Sequence, residues 1–336
     1  MDKKTRLVKL LTCHEAILLY VLAAIFIILR IANEGFTSAG NLMTIIKTLS
    51  FFGIIAAGMG VVIINGDFDI SLGAVAAFGS VFSTWLMLKT KCFGMMETPN
   101  EALGCALCVL VCVCVAFFIG FLNACMMVKL KLPAMIATVA MKYTLQGVVL
   151  IFTNGTPVYP LPVSFDTFGK AGIPIGDSKL TYFFFIMLGL LILSECILRF
   201  TTFGRNVYAT GSNRQSAILS GINTDLVRFI PLMVTSGLAA FSGSMNAAYI
   251  GQGSVTIGAD WEMMVIATCA IGGIKMSGGA GSLIGVFIGL FIINSLNSAI
   301  AMLGINAFLQ DVILGFILII IIALDIRSAS QKVKAE

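Results

Sequence analysis

Charge is what this chain has least of. Only 11% of its 336 residues are Asp, Glu, Lys or Arg, whereas a soluble domain carries about a quarter. It has one histidine, His14, seven prolines and two tryptophans. No G-x-x-x-x-G-K-[ST] loop is present to cradle a nucleotide's phosphates. There is no H-E-x-x-H or G-x-S-x-G either, and one histidine leaves the usual triads and metal clusters without members. These gaps exclude ATP hydrolysis by that route and argue against a membrane enzyme. No basic tract with interleaved aromatics occurs, so the net charge of +5 does not point to nucleic acid.

What the chain has in abundance is apolar sequence. Hydrophobic residues make up 59%, and mean hydropathy is +1.03. Apolar runs of about 18 to 25 residues recur along the length, which fits spanning helices and not the ten-residue alternation of a membrane barrel. The fold class is therefore an all-α integral membrane protein of the cell membrane, a single polytopic domain over residues 1–336. Spans are expected at about 16–32, 42–64, 71–88, 102–127, 134–152, 180–200, 229–249, 261–274, 281–301 and 308–325. Some are short: 261–274 is brief for a full crossing and is expected to tilt or to break at Gly272 and Gly273. The basic start, "MDKKTRLVK", has no small-residue cleavage site after it and reads as leading into an uncleaved first helix.

With the N-terminal residues 1–15 in the cytoplasm, ten spans return the tail 326–336 to the same side. The inner loops then hold most Lys and Arg. The outer loops hold Glu34, Glu97, Glu101, Asp166, Asp177, Asp260 and Glu262, read as exposed acids. The nine cysteines lie mainly within apolar segments, as in "CALCVLVCVC", and read as packing and not as metal ligands. No cofactor is implied.

Two loops are long. Residues 153–180 carry Pro157, Pro160, Pro162 and Pro174 and read as an ordered, irregular outer cap. Residues 199–229 are polar and basic, and their centre, "NRQSAILSGI", reads as a short helix capped by Asn213 and ended by Gly221.

Few ionisable groups lie inside spans: Lys47, Lys142, Glu195 and Asp311. Structural roles are expected for them, which points away from an ion-coupled carrier. In "GAGSLIGVFIGLFIINSLNSAI", Gly281, Gly285 and Gly289 share a helix face and let another backbone approach closely. Asn294 and Asn297, with Ser295 and Ser298, either pair between helices or line a path for a hydroxyl-rich solute.

Two glycine-rich breaks interrupt the spans. "NGDFDISLGA" (Asn65 onward) aligns with "IGGIKMSGGA" (Ile271 onward), pairing Gly66 with Gly272, Ser71 with Ser277 and Gly73 with Gly279, and setting Asp69 against Lys275. Asp69 or Ser71 is expected to cap the helix beginning near Leu72. The alternative is an Asp69–Lys275 pair across an inner gate.

Four motifs, in order, carry a family resemblance over about residues 41–326. They are "GDFDISLG" (66–73), "GFLNACMMVKLKLPAMIATVAMKYTLQGVVLIFTNGTP" (120–157), "GRNVYATGSNRQSAILSGI" (204–222) and "AIGGIKMSGGAGSLIG" (270–285). With these the chain resembles permease subunits of the ribose-type ATP-binding-cassette (ABC) sugar importers, whose hallmark is "GGIDLSVG". It departs from that pattern at Asp67, where the hallmark has glycine, and at Gln146, Met264 and Ala280, where arginine, aspartate and a basic residue are frequent.

The resemblance implies a transport subunit without catalytic residues or an ATPase site of its own. A soluble extracytoplasmic binding protein would deliver a small sugar or related solute. A second permease subunit, the same or a sister chain, would complete the path, and a separate ABC ATPase would drive it. The ATPase would engage 199–229, with Arg205, Asn213, Ala217, Ser220 and Gly221 carried over from the motif. Gly66, Asp69, Ser71, Gly73, Gly272, Gly273, Lys275, Gly278 and Gly279 would form the helix breaks or gate. The alternatives are an ATP-independent facilitator or secondary carrier of a small polar solute, and a membrane-embedded scaffold or receptor.

Overall fold

The structure is a computed structural model, and it describes residues 14–304 together with 309, 312, 315 and 316. The N-terminal residues 1–13, the rest of the expected span at 308–325 with Asp311, and the tail 326–336 lie outside the described residues. Among the described residues, eight helical segments are long and apolar enough to cross a membrane. In chain order the long helices are α1 (His14–Ala32), α2 (Ala39–Ile64), α3 (Leu72–Lys89), α4 (Glu101–Ala124) and α5 (Ala134–Thr153). A π-turn, Cys125–Lys129, extends α4. After α5 come the short α6 (Val163–Gly169) and an antiparallel hairpin, β1 (Gly172–Ile175) with β2 (Ser178–Thr181). The remaining helices are α7 (Tyr182–Phe200), α8 (Thr202–Ser212), α9 (Arg214–Leu219), α10 (Thr224–Ile250), α11 (Trp261–Ile271) and α12 (Leu283–Met302).

Segment 261–274 breaks at the expected glycines and does not make a full crossing. α11 has 11 residues, about 16 Å at 1.5 Å per residue, roughly half of the hydrocarbon thickness. It stops at Gly272 and Gly273, where the chain turns away.

At the core, α2 and α10 cross, and α10 packs along α3 and α4 as well. Close packing is built from small residues, as expected where lipid gives helices no hydrophobic reason to associate. A Cβ on Gly243 would lie 1.9 Å from the Ala76 carbonyl oxygen, and one on Gly79 would lie 2.2 Å from that of Ala240. The Ser244 hydroxyl donates to the Gly79 carbonyl at 2.9 Å, and the Ser242 hydroxyl to that of Phe51 at 2.8 Å. By contrast α1 is exposed along most of its length and packs mainly against α12.

The 153–180 loop is ordered, and it contains α6 and the hairpin. Its two-residue turn, Gly176–Asp177, puts Gly176 at φ +59°, the left-handed region that tight hairpins require. A bridge between Val158 and Gly253 ties this cap to the segment after α10.

Candidate functional site

The two glycine breaks meet at one end of the bundle. α2 stops at Asn65 because Gly66 turns at φ +84°. The second break reaches across to it: the Gly279 N–H donates to the Ile64 carbonyl at 2.8 Å. A Cβ on Gly278 would lie 2.8 Å from the Gly66 Cα. Backbone contact this close leaves no room for a side chain at Gly278, whereas at Gly66, where an added Cβ would meet nothing nearer than 3.7 Å, the positive φ is what favours glycine.

α8 inserts its last turn into the same junction. A Cβ on Gly211 would lie 1.9 Å from the Ile64 oxygen and 2.7 Å from the Gly279 nitrogen. The Tyr208 hydroxyl donates to the Gly281 carbonyl at 2.8 Å, and the Ser212 hydroxyl to that of Gly279 at 3.4 Å. Burial, reinforced by Glu195, pushes the Tyr208 phenol above its ordinary range, so it remains a donor. Tyr208 and Ser212 escaped the sequence reading, and Gly211 entered it only as part of the family motif. Only their place between two recognisable motif residues, Arg205 and Asn213, singled them out.

The 199–229 segment is more helical than expected. α8 lies ahead of the anticipated short helix, and α10 already begins at Thr224. The short helix itself is α9. Asn213 caps it, its side-chain oxygen accepting from the Ser216 N–H at 3.0 Å, and Gly221 ends the segment at φ +80°. Ala217 is buried and seats α9, while Ser220 is exposed and returns its hydroxyl to the Ser216 carbonyl at 2.9 Å. Arg205 is exposed on α8. Leu219, 81% exposed, and Ile218 give α9 an uncovered apolar surface.

The two aspartates of the first break have different partners. Asp69 is fully buried. Its Oδ1 accepts from the Ser71 N–H at 2.8 Å and the Ser71 hydroxyl at 2.5 Å, and Asn123 donates to its Oδ2 at 3.3 Å. The expected side-chain cap is therefore not what forms. Ser71 occupies the cap position of α3 without a cap hydrogen bond, because Asp69 already holds its hydroxyl. Nor does Asp69 reach Lys275, which is exposed and makes no ion pair among the described residues. Asp67 forms a bidentate pair with Arg228 of α10, both contacts at 2.6 Å and both side chains buried. Beside it, Asn65 donates to the Val227 carbonyl at 3.1 Å.

In the second break, Gly272 packs against α12. A Cβ on Gly285 would lie 1.9 Å from the Gly272 oxygen, and one on Gly289 would lie 2.6 Å from that of Thr268. Gly285 and Gly289, on one face of α12, thus receive the end of α11 and Gly272 after it. Glu195 of α7 caps α12 from outside, its Oε2 accepting from the Leu283 N–H at 2.7 Å while Arg199 holds Oε1 at 2.5 Å.

Glu262 overturns its reading as an exposed outer acid. It is buried in the first turn of α11 and pairs with Lys142 of α5. Gly73 makes room for it, since a Cβ there would lie 2.0 Å from Glu262 Oε2. Pairing is the physical reason the carboxylate tolerates burial. Lys47 similarly finds the Tyr249 hydroxyl at 2.5 Å. Asn294 and Asn297 line a cavity of about 380 Å³ with Asn41, Thr44, Thr48 and Ser298. Both asparagine side-chain oxygens are buried there without a hydrogen-bond partner.

The sequence that builds this bundle matches a known family. Residues 41–322 fit the family described as branched-chain amino acid transport system / permease component. The chain belongs to this permease family. The permease is 32% identical over 325 residues to the probable ABC transporter permease protein YphD of Escherichia coli (strain K12), covering 96% of this chain and 92% of that one. It is 29% identical over 326 residues to the autoinducer 2 import system permease protein LsrC of Photorhabdus luminescens, covering 96% and 93%. It is 29% identical over 309 residues to the ribose import permease protein RbsC of Bacillus subtilis (strain 168), covering 90% of each. No solved structure shows a significant match. The permease is a multi-pass membrane protein and the transmembrane subunit type of an ABC importer, a class that works with an ATPase and a binding protein.

Proposed function

We propose that this permease forms the path for a small sugar or sugar-like solute, received from an extracytoplasmic binding protein and driven inward by a separate ATPase. The ribose and autoinducer 2 import permeases among its relatives support the solute class. The observation that carries the mechanism is the seating of α8 on both glycine breaks at once. In this reading both termini and the 199–229 segment face the cytoplasm, and 153–180 caps the outer side.

Arg205, Asn213, Ala217, Ser220 and Gly221 shape the surface that meets the ATPase, with Ile218 and Leu219 offering the apolar contact. Closure of the ATPase pushes α9 and α8. Because α8 touches both breaks, one displacement reaches Gly66, Asp69, Ser71 and Gly73 on one side and Gly272, Gly273, Lys275, Gly278 and Gly279 on the other. Rigid helices hinged at such breaks are the usual repertoire of switching. Asn294 and Asn297, with acceptors left unpaired, offer hydrogen bonds to a hydroxyl-rich solute. A second permease subunit completes the path, and the chain supplies no ATPase site.

Proteoliposomes test this. The permease, its ATPase and a binding protein are reconstituted with a panel of labelled pentoses and hexoses, with ATP supplied or withheld. Uptake that requires ATP and both partners is the expected result. Uptake by the permease alone, indifferent to ATP, would overturn it in favour of a facilitator.

A further inference from the structure

The second break is tied directly to α8 by the hydrogen bonds from Tyr208 and Ser212. The first break is not. Among the described residues, no hydrogen bond joins α8 or α9 to residues 65–71, and Gly211 meets Ile64 only by contact. Contact transmits a push but not a pull. Besides the Gly279 N–H on the Ile64 carbonyl, the ties at this end are made by side chains of the first break and run to the opening of α10: Asn65 to the Val227 carbonyl and Asp67 to Arg228. That same turn is tied to α9, since Asp225 lies 3.6 Å from Arg214, the first residue of α9, and 3.8 Å from Lys129 at the end of α4. Asp225 and Arg228 are three residues apart, neighbours on the helix surface.

We infer that Asp67 and Arg228 are a positioning pair that couples the first break to α9 through the opening turn of α10, so that both breaks follow the ATPase together. This rests on the ATPase-coupling reading above. A bidentate, buried guanidinium–carboxylate pair suits the task, because it fixes separation and orientation at once and resists being pulled apart. The exposed Arg214–Asp225 contact, in water, is the compliant step of the chain. Asp67 stands where the family hallmark has glycine, so the linkage belongs to this chain's sequence and not to the shared motif.

The test follows the break and not the solute. Ser277, exposed in the second break, and Phe68 in the first are replaced one at a time, Ser277→Cys and Phe68→Cys, in the permease assembled with its ATPase in inside-out vesicles. Labelling at each position by an impermeant maleimide is followed by mass spectrometry, with and without ATP and orthovanadate. In the parent proteins the nucleotide changes the labelling rate at both positions. Adding Asp67→Asn cuts the nucleotide-dependent change at 68 by about fivefold or more, the low end of ordinary coupling, and leaves the change at 277 intact. Arg228→Lys, which keeps the charge but loses the fork, gives a smaller loss, and the exchanged pair Asp67→Arg with Arg228→Asp recovers part of the response. A full nucleotide response at 68 in Asp67→Asn or Arg228→Lys overturns the inference, as does an equal loss at both positions, the mark of a merely structural pair. No nucleotide response in either parent would remove the coupling reading itself, and the pair's role with it.

Discussion

The two glycine breaks align in sequence and touch in space, yet they are held by different means. The first is pinned by side chains: Asp67 by Arg228, Asp69 by Ser71 and Asn123, Asn65 by the Val227 carbonyl. The second is pinned by its backbone. Gly279, Gly281 and Leu283 offer main-chain groups to Ile64, Tyr208 and Glu195, while the Lys275 side chain is exposed. The lesson is that similar glycine spacing makes two hinges sensitive to different insults. Charge should matter at the first and volume at the second.

The largest effect is expected at Asp67. Asp67→Gly restores the hallmark residue but leaves Arg228 buried without its partner, and losing one member of a buried pair costs about 3–5 kcal/mol. Thermal unfolding in lipid nanodiscs should show it. Adding Arg228→Leu removes the orphaned charge and should recover most of the loss. A double variant as unstable as the single one would mean that the ionic contact is not what holds this break.

Volume is the corresponding test on the other side. Gly285→Val drives a side chain into the Gly272 oxygen, and overpacking of this kind costs about 1–3 kcal/mol. Gly147→Ala, on an open face of α5 with nothing within 4 Å of its added Cβ, is the control and should be neutral or slightly stabilising. Equal unfolding temperatures for the two variants would erase the distinction between the hinges.

Asp69→Asn should do less than either. The new side-chain oxygen still accepts from Ser71. The new NH₂ group replaces the acceptor that faced Asn123, whose amide goes on donating to the Ser71 hydroxyl at 2.9 Å, so one neutral donor loses its partner while a buried charge is removed. A loss of about 1 kcal/mol is expected by chemical unfolding. A loss as large as that for Asp67→Gly would show that the charge itself, and not the hydrogen-bond pattern, orders the segment.

How much of this was legible in the sequence depends on the range of each interaction. The long apolar runs announced the spans because hydrophobic thickness is a local requirement. α9 was legible down to Asn213 and Gly221 for the same reason, since caps act within one turn. The close approach along Gly285 and Gly289 was legible as a face, though not as a contact with Gly272. Pairs distant along the chain were not legible. Asp67 meets Arg228 across 161 positions and Lys142 meets Glu262 across 120, so nothing in their flanking residues announced a partner. Glu262 was misread as exposed because it opens α11 next to exposed Asp260, and an isolated acid at a helix start normally faces water. α8 was read as loop because its apolar content is low. Its stability comes from the packing of Gly204, Val207 and Gly211 onto neighbours that the sequence does not name.

The smallest expected effect sharpens the comparison most. Lys275 is exposed in the second break, so Lys275→Gln should shift stability by no more than about 0.5 kcal/mol, as surface changes usually do. If the second break works only through its backbone, ATP-driven uptake should also be unchanged. A fall in uptake with unchanged unfolding would mean that the lysine acts in another state of the cycle. The aligned residue Asp69 is then the natural partner, because opening the junction would uncover its carboxylate. Combining Lys275→Gln with Asp69→Asn separates the two cases: losses that add indicate independent roles, whereas a double variant no worse than the single one indicates an ion pair that forms when the breaks rearrange.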